Sequence, residues 1–295
     1  MDSSHVEDLQ EKGYAIIRGF MPPEEMGRIA EAVDQMYQEG MTHHASYHHQ
    51  NLCFELLNDP VLKRKIVVQA YWFSWINKTL EEQRRHPKYL EVLGPLLGKN
   101  IKQIANQIHW KPPGAKYSDY RFHQDLRFRE KPEDFSNITT HNFTTALAID
   151  PQTAENGALQ FFPGSHKKGY LGLSDGGTIM NGGDERSKGP TKAEELVGAK
   201  LDPKDAVLAE MEPGDLAIWG LLTVHGSKGN QSRTMDRRVI LNSYVRAEDS
   251  PIRGEWVFKD GVSTPLGPEP QLCKYENLYT RPGPYYVKGD WVAGQ

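Results

Sequence analysis

The chain has 295 residues, 25% of them charged and 10% aromatic, with a formal net charge of −4. That composition fits a folded chain with a sizeable core and excludes a disordered polymer; the weak negative charge gives no footing for nucleic acid. No apolar run is long enough to span a bilayer, "MDSSHVEDLQEKG" is polar and acidic rather than a secretory signal, and the two cysteines, Cys53 and Cys273, form no CxxC pattern, so reduced thiols in a cytoplasmic protein are expected.

In chain order, "VEDLQEKG" predicts a short helix ended by Gly13, and "YAIIRGF" a strand. "PPEEMGRIAEAVDQMYQEG" begins with prolines and acids, carries Met26, Ile29, Val33 and Met36 at helical spacing, and predicts a helix stopping at Gly40. "THHASYHHQ" reads as a loop bearing His43, His44, His48 and His49, whose adjacent pairs are poorly spaced for a metal. Helices are predicted around "DPVLKRKIVVQAYWFSWINKTLEEQRR" and "PKYLEVLGPLLG", so that residues 1–100 form a mostly helical flank. From residue 101 the texture changes. "IKQIANQIHW", "TTALAID", "ALQFF", "GDLAIWG" and "RRVILNSYVR" read as strands, the second and third joined by a turn ending in Asn-Gly. Many short strands without intervening helices predict an antiparallel sandwich or barrel over 101–246. A long Gly-, Lys- and Asp-rich insertion at 172–205 has the composition of a lid, and 247–295, rich in Pro and aromatics, is expected to wrap the barrel. Neither a repeat nor a linker divides the chain, so 1–295 reads as one domain.

Within "RFHQDLRF" a strand would project His123 and Asp125 from one face. Such a pair serves equally as a structural couple, as part of a hydrolytic triad, or as two metal ligands. His225 follows an apolar strand-like stretch and Arg237 opens the next strand. Two histidines and one carboxylate suit a facial site for non-haem Fe(II), with positions left open for other ligands. A planar guanidinium one strand further on suits the distal carboxylate of a 2-oxo acid. Arg127 would share the face of His123 and Asp125 if the strand continued, as a contact for an anionic substrate or as a structural ion pair. His166, in "PGSHKKG", is assigned no metal role.

"HQDL", "ENGALQFFPGSHKKG", "GDLAIW", "HGSKGNQS" and "RRVILNSY" resemble, in that order, the motifs of the phytanoyl-CoA dioxygenase (PhyH) family of Fe(II)/2-oxoglutarate-dependent oxygenases. The resemblance implies a double-stranded β-helix, a jelly-roll core of mainly β structure with flanking helices. It implies His123, Asp125 and His225 as iron ligands. Asp236 stands where the family's cosubstrate arginine is expected; a one-residue insertion in the turn brings Arg237 to that role, because Arg237 keeps the family's spacing to Tyr244. Gln107 and Thr144 are the further candidates for the cosubstrate. Related halogenases have Gly or Ala in place of the acid, so Asp125 argues against halogenation. The implied reaction uses O2 to decarboxylate 2-oxoglutarate to succinate while hydroxylating, desaturating or cyclising a small-molecule substrate. Nucleic acid and membrane are not expected partners. Two other readings stay open: a cupin-type metal-dependent hydrolase or isomerase, which would not need Arg237, and a small-molecule binding module without turnover.

Overall fold

A computed structural model describes residues 1–116, 118–129, 132–173, 193–267 and 284–286. Most of the 172–205 insertion, much of the 247–295 segment and Cys273 therefore lie outside the described residues.

The N-terminal flank comprises α1 (Ser3–Lys12), β1 (Tyr14–Ile17), α2 (Pro23–Thr42), β2 (Tyr47–His49), β3 (Leu52–Asp59), β4 (Arg64–Tyr71), α3 (Lys78–Arg84) and α4 (Pro87–Leu97). The barrel strands follow: β5 (Ile101–Lys111), β6 (Tyr120–His123), β7 (Asn142–Ala148) and β8 (Leu159–Phe161). After α5 (Ala193–Gly198) come β9 (Val207–Leu208), β10 (Leu216–Gly220), β11 (His225–Ser227) and β12 (Arg237–Arg246). The described C-terminal strands are β13 (Glu255–Lys259), β14 (Val262–Ser263) and β15 (Tyr285–Tyr286). The larger sheet runs β1-β10-β7-β12-β5-β4-β3-β2-β15, with β13 and β14 added at β5, and the smaller sheet runs β6-β11-β8-β9. This is the expected double-stranded β-helix with flanking helices.

Local chemistry accounts for the helices. Asp2 caps α1 through the His5 amide, and Gly13 ends it at φ 87°, where a side chain is strained. Pro23 starts α2, which buries Met26, Ile29, Val33 and Met36 on one face. Two-residue periodicity then splits the strands between two cores. Leu216 and Ile218 of β10, Leu147 of β7 and Ile240 of β12 pack outward beneath the helices. Ala217 and Trp219, Ala146 and Ala148, and Val239 face the interior between the sheets.

The flank is less helical than its sequence indicates. Residues 64–71, expected as helix, form β4, paired with β3 and β5, and the histidine-rich stretch contributes β2 rather than only a loop. The burial of β4 explains the first difference. From Ile66 to Tyr71 every residue is buried, so no polar face marks the strand period. "TTALAID" and "ALQFF" are both strands, but β7 and β8 lie in different sheets. Among the described residues no helix is long and apolar enough to cross a membrane.

Candidate metal and cosubstrate site

β6 and β11 pair antiparallel with His123 opposite His225, which puts the two imidazole centroids 4.4 Å apart. The approach is close: a Cβ on Gly226 would meet Tyr120 O at 2.8 Å, so glycine at that position lets the strands meet. Asp125 is not on the strand with His123. β6 ends at His123 and Asp125 opens a 3-10 turn, Asp125–Phe128, that swings its carboxylate back to the imidazoles. Asp125 Oδ1 lies 3.5 Å from Nε2 of each histidine. The three ligand atoms are within 4.8 Å of one another, and all three residues are buried. Among the described residues no other group of three metal-ligating side chains is gathered in this way.

The surroundings fix which atoms face inward. His123 Nδ1 lies 2.6 Å from Arg121 O and His225 Nδ1 lies 3.0 Å from Thr223 O. A carbonyl only accepts, so each Nδ1 carries a proton, which leaves each Nε2 facing the centre. Asp125 Oδ2 accepts from Thr144 Oγ1 at 2.7 Å and from Trp219 Nε1 at 3.0 Å, which leaves Oδ1 for the centre. Burial would raise the Asp125 carboxyl, but the charge of His225, the bond and charge of His123 and the Thr144 hydroxyl together hold it well below the usual carboxylate range. Burial pushes His225 down to about 4. The cluster is thus a carboxylate with a neutral His225 imidazole. Two nitrogens and one oxygen of this kind match the donor set of a non-haem Fe(II) site.

Thr144, a candidate for the cosubstrate, gives its single hydroxyl proton to Asp125. The Thr144 and Trp219 donors are direct cross-strand partners on β7 and β10. Arg127 does not extend the ligand face, because the strand has ended; its guanidinium lies 5.2 Å from the Phe128 ring centroid. Gln107 is half-buried on β5, with its amide oxygen 2.9 Å from His109 Nε2. His43 stacks on Tyr47, and His48 Nε2 lies 3.4 Å from Cys53 Sγ.

The adjacent arginines of β12 separate as alternation requires. Arg238 forks onto Asp150, with Nη2 2.7 Å from Oδ1, and also reaches Asp34. Arg237 points inward and is 1% exposed. Its Nε and Nη2 have no hydrogen-bond partner among the described residues, and burial lowers its pKa to about 10. Opposite Arg237 on β5 stands Lys111, fully buried, whose Nζ donates to Ser227 Oγ at 2.7 Å. Burial first, and then the Arg237 charge, push the lysine well below its ordinary value. The orphaned guanidinium donors of Arg237, with Lys111 opposite and Ser227 two residues past His225, are of a kind that suits an anion.

Lys111, Ser227, Trp219 and Gln124 had not been singled out in the sequence. Two of them carried a signal: Ser227 is two residues past His225, and Trp219 alternates with the inward Ala217.

The family model described as Phytanoyl-CoA dioxygenase (PhyH) matches residues 9–239. A protein of Stutzerimonas stutzeri named probable alpha-ketoglutarate-dependent hypophosphite dioxygenase is 29% identical over 247 residues, covering 83% of this chain and 78% of its own. A methylphosphonate hydroxylase of Gimesia maris is 25% identical over 169 residues, covering 57% of this chain and 55% of its own. Among solved structures, EctD from S. alaskensis with 2-oxoglutarate and 5-hydroxyectoine superposes with a TM-score of 0.61 at 15% identity, over 98% of this chain and 87% of that one. The carbocyclase SnoK from nogalamycin biosynthesis gives 0.59 at 18%, over 90% and 94%. These structural likenesses establish the fold.

Proposed function

From the premise that the chain belongs to the phytanoyl-CoA dioxygenase family, we propose that His123, Asp125 and His225 hold Fe(II) and that Arg237, with Lys111 and Ser227, holds the distal carboxylate of 2-oxoglutarate. By class the chain is an Fe(II)- and 2-oxoglutarate-dependent dioxygenase acting on a small molecule. The assignment of residues rests above all on the convergence of three buried ligand atoms within 4.8 Å. Bound Fe(II) supplies the redox chemistry that couples O2 and the decarboxylation of 2-oxoglutarate, to succinate and CO2, with oxidation of the substrate.

The protein's own groups prepare that chemistry. Thr223 O and Arg121 O hold the imidazole protons away from the centre, and Thr144 with Trp219 turns one carboxylate oxygen toward it. Arg237 supplies two donors that are unmatched among the described residues and buried, where a charge-assisted bond is strong. Arg237 is also what separates this reading from a cupin-type hydrolase, which has no use for a buried anion receptor, and turnover separates it from a binding module. The reading takes residues 1–295 as one cytoplasmic dioxygenase domain whose partners are small molecules rather than nucleic acid or membrane. Gln107, beside His109, is a remaining candidate for contact with the cosubstrate.

Anaerobic calorimetry of 2-oxoglutarate binding tests the assignment. Tight binding that requires Fe(II) and weakens sharply in Arg237→Leu is expected; binding indifferent to both metal and Arg237 would refute it.

A further inference from the structure

Gln124 lies between His123 and Asp125 and is fully buried. As one residue of a metal-binding motif it has no ligand role, since its side chain points away from the cluster. Its amide nevertheless joins three separate main-chain groups. Nε2 donates to Leu222 O at 2.7 Å and to Gly169 O at 2.8 Å, and Oε1 accepts from Leu171 N at 2.7 Å. Leu222 belongs to the connection that delivers His225, and Leu126 N adds a second tie there through Leu221 O at 3.2 Å. Gly169 and Leu171 begin the segment that leads from β8 into the insertion. All the hydrogen-bonding capacity used by this amide therefore goes to holding the His123–Asp125 motif at a set distance from the His225 loop and from the base of the insertion.

Packing repeats the same linkage on the outer side of the smaller sheet. Leu171, Leu173, Leu196 and Leu201, from the two described ends of the insertion, pack with Phe122 and Val224. Phe122 precedes His123 and Val224 precedes His225. The base of the insertion is closed by Lys168 Nζ, which donates to Lys200 O at 2.7 Å.

We propose that Gln124 is a positioning residue that sets the spacing between the His123–Asp125 motif and His225, and that it links metal binding to docking of the Gly169–Leu171 segment. This deepens the site assignment above and rests on it. Outer groups that orient metal ligands are worth about 10-fold to 100-fold in metal affinity. Linkage is reciprocal, so if the docked segment favours the metal, the metal favours the docked segment.

The test compares wild type, Gln124→Met, Gln124→Glu and Gln103→Met by anaerobic equilibrium dialysis against Fe(II), with hydrogen exchange of the Leu171 amide as a second readout. Gln103 is a buried amide whose bonds run to Asn242 Oδ1 at 2.7 Å and from Arg84, not to the cluster, so it controls for general loss of stability. Gln124→Glu keeps the size and the acceptor for Leu171 but sets a carboxylate against two carbonyl oxygens, and so serves if the methionine variant fails to fold. Both Gln124 variants are expected to bind Fe(II) at least about 10-fold more weakly, with Gln103→Met close to wild type. Fe(II) is expected to slow Leu171 exchange in wild type but not in Gln124→Met. Unchanged Fe(II) affinity in the Gln124 variants, or equal weakening in Gln103→Met, overturns the proposal. Failure of the underlying site assignment would show itself separately, as wild-type Fe(II) binding that His225→Ala leaves intact.

Discussion

The metal cluster and the Arg237 pocket share one barrel and are built in opposite ways. Around the cluster the polar atoms that face away from the centre are matched: both Nδ1 protons go to main-chain carbonyls, and Asp125 Oδ2 takes two donors. In the Arg237 pocket a fully buried guanidinium keeps two donors unmatched among the described residues, with the buried Lys111 amine opposite it. On the assignment proposed above, the difference follows from what each pocket would receive. A cation needs ligands whose lone pairs are already aimed, so the protein supplies the orienting bonds itself. An anionic cosubstrate brings its own acceptors, so the protein leaves donors waiting and bears an uncompensated charge until the anion arrives.

That contrast is most exposed at its two ends. His225→Ala should abolish stoichiometric Fe(II) binding by dialysis, and with it any metal-dependent binding of 2-oxoglutarate. Arg237→Leu should weaken 2-oxoglutarate by about 100-fold, the worth of two charge-assisted bonds at about 1.5 kcal/mol each, while Fe(II) binding stays as in wild type. The same substitution should leave the ligand-free protein at least as stable in urea, because it removes a buried charge without a partner. A large loss of stability would mean that Arg237 is structural and would erase the contrast.

Trp219→Phe and Thr144→Val each remove one donor to Asp125 Oδ2 with little change in volume. Each should weaken Fe(II) by about 10-fold, and the double variant should fall short of the product of the two, since both hold the same oxygen. Acid should act through the buried neutral histidines. His225 and His48 are each pushed from 6.5 down to about 4 by burial. Between those values the unfolded chain takes up protons that the folded chain refuses, so stability falls as pH falls below 6.5, by about 2 kcal/mol per histidine at pH 5. Urea midpoints at pH 7 and 5 should show that loss, and His48→Gln should remove its share. The smallest effect on the site belongs to Arg238→Gln, which breaks the outward pair with Asp150 yet should leave 2-oxoglutarate affinity within about twofold, on the opposite face of the strand.

What was legible in the sequence tracks the range of the interactions involved. His123, His225 and the inward turn of Arg237 follow from strand alternation and ordered motifs, and the helices α1, α2 and α4 from caps, prolines and apolar spacing. β4 was not legible, because it is buried on both sides and its apolar run suits a helix equally well. The 3-10 turn that carries Asp125 has neither glycine nor proline to announce it. The bond from Thr144 to Asp125 was not legible, since which acceptor a hydroxyl finds depends on β7 and the Asp125 turn meeting in space. Gln124 was invisible for the same reason: its partners are main-chain groups 45, 47 and 98 residues away.

The most direct test of the paired pockets is the anaerobic visible spectrum of the protein with Fe(II) and 2-oxoglutarate. Chelation of ferrous iron by the 2-oxo acid gives a weak metal-to-ligand charge-transfer band. The account predicts that this band appears in wild type, is absent in His225→Ala, and needs far more 2-oxoglutarate to develop in Arg237→Leu. Iron bound at full stoichiometry with no band at saturating 2-oxoglutarate would contradict it.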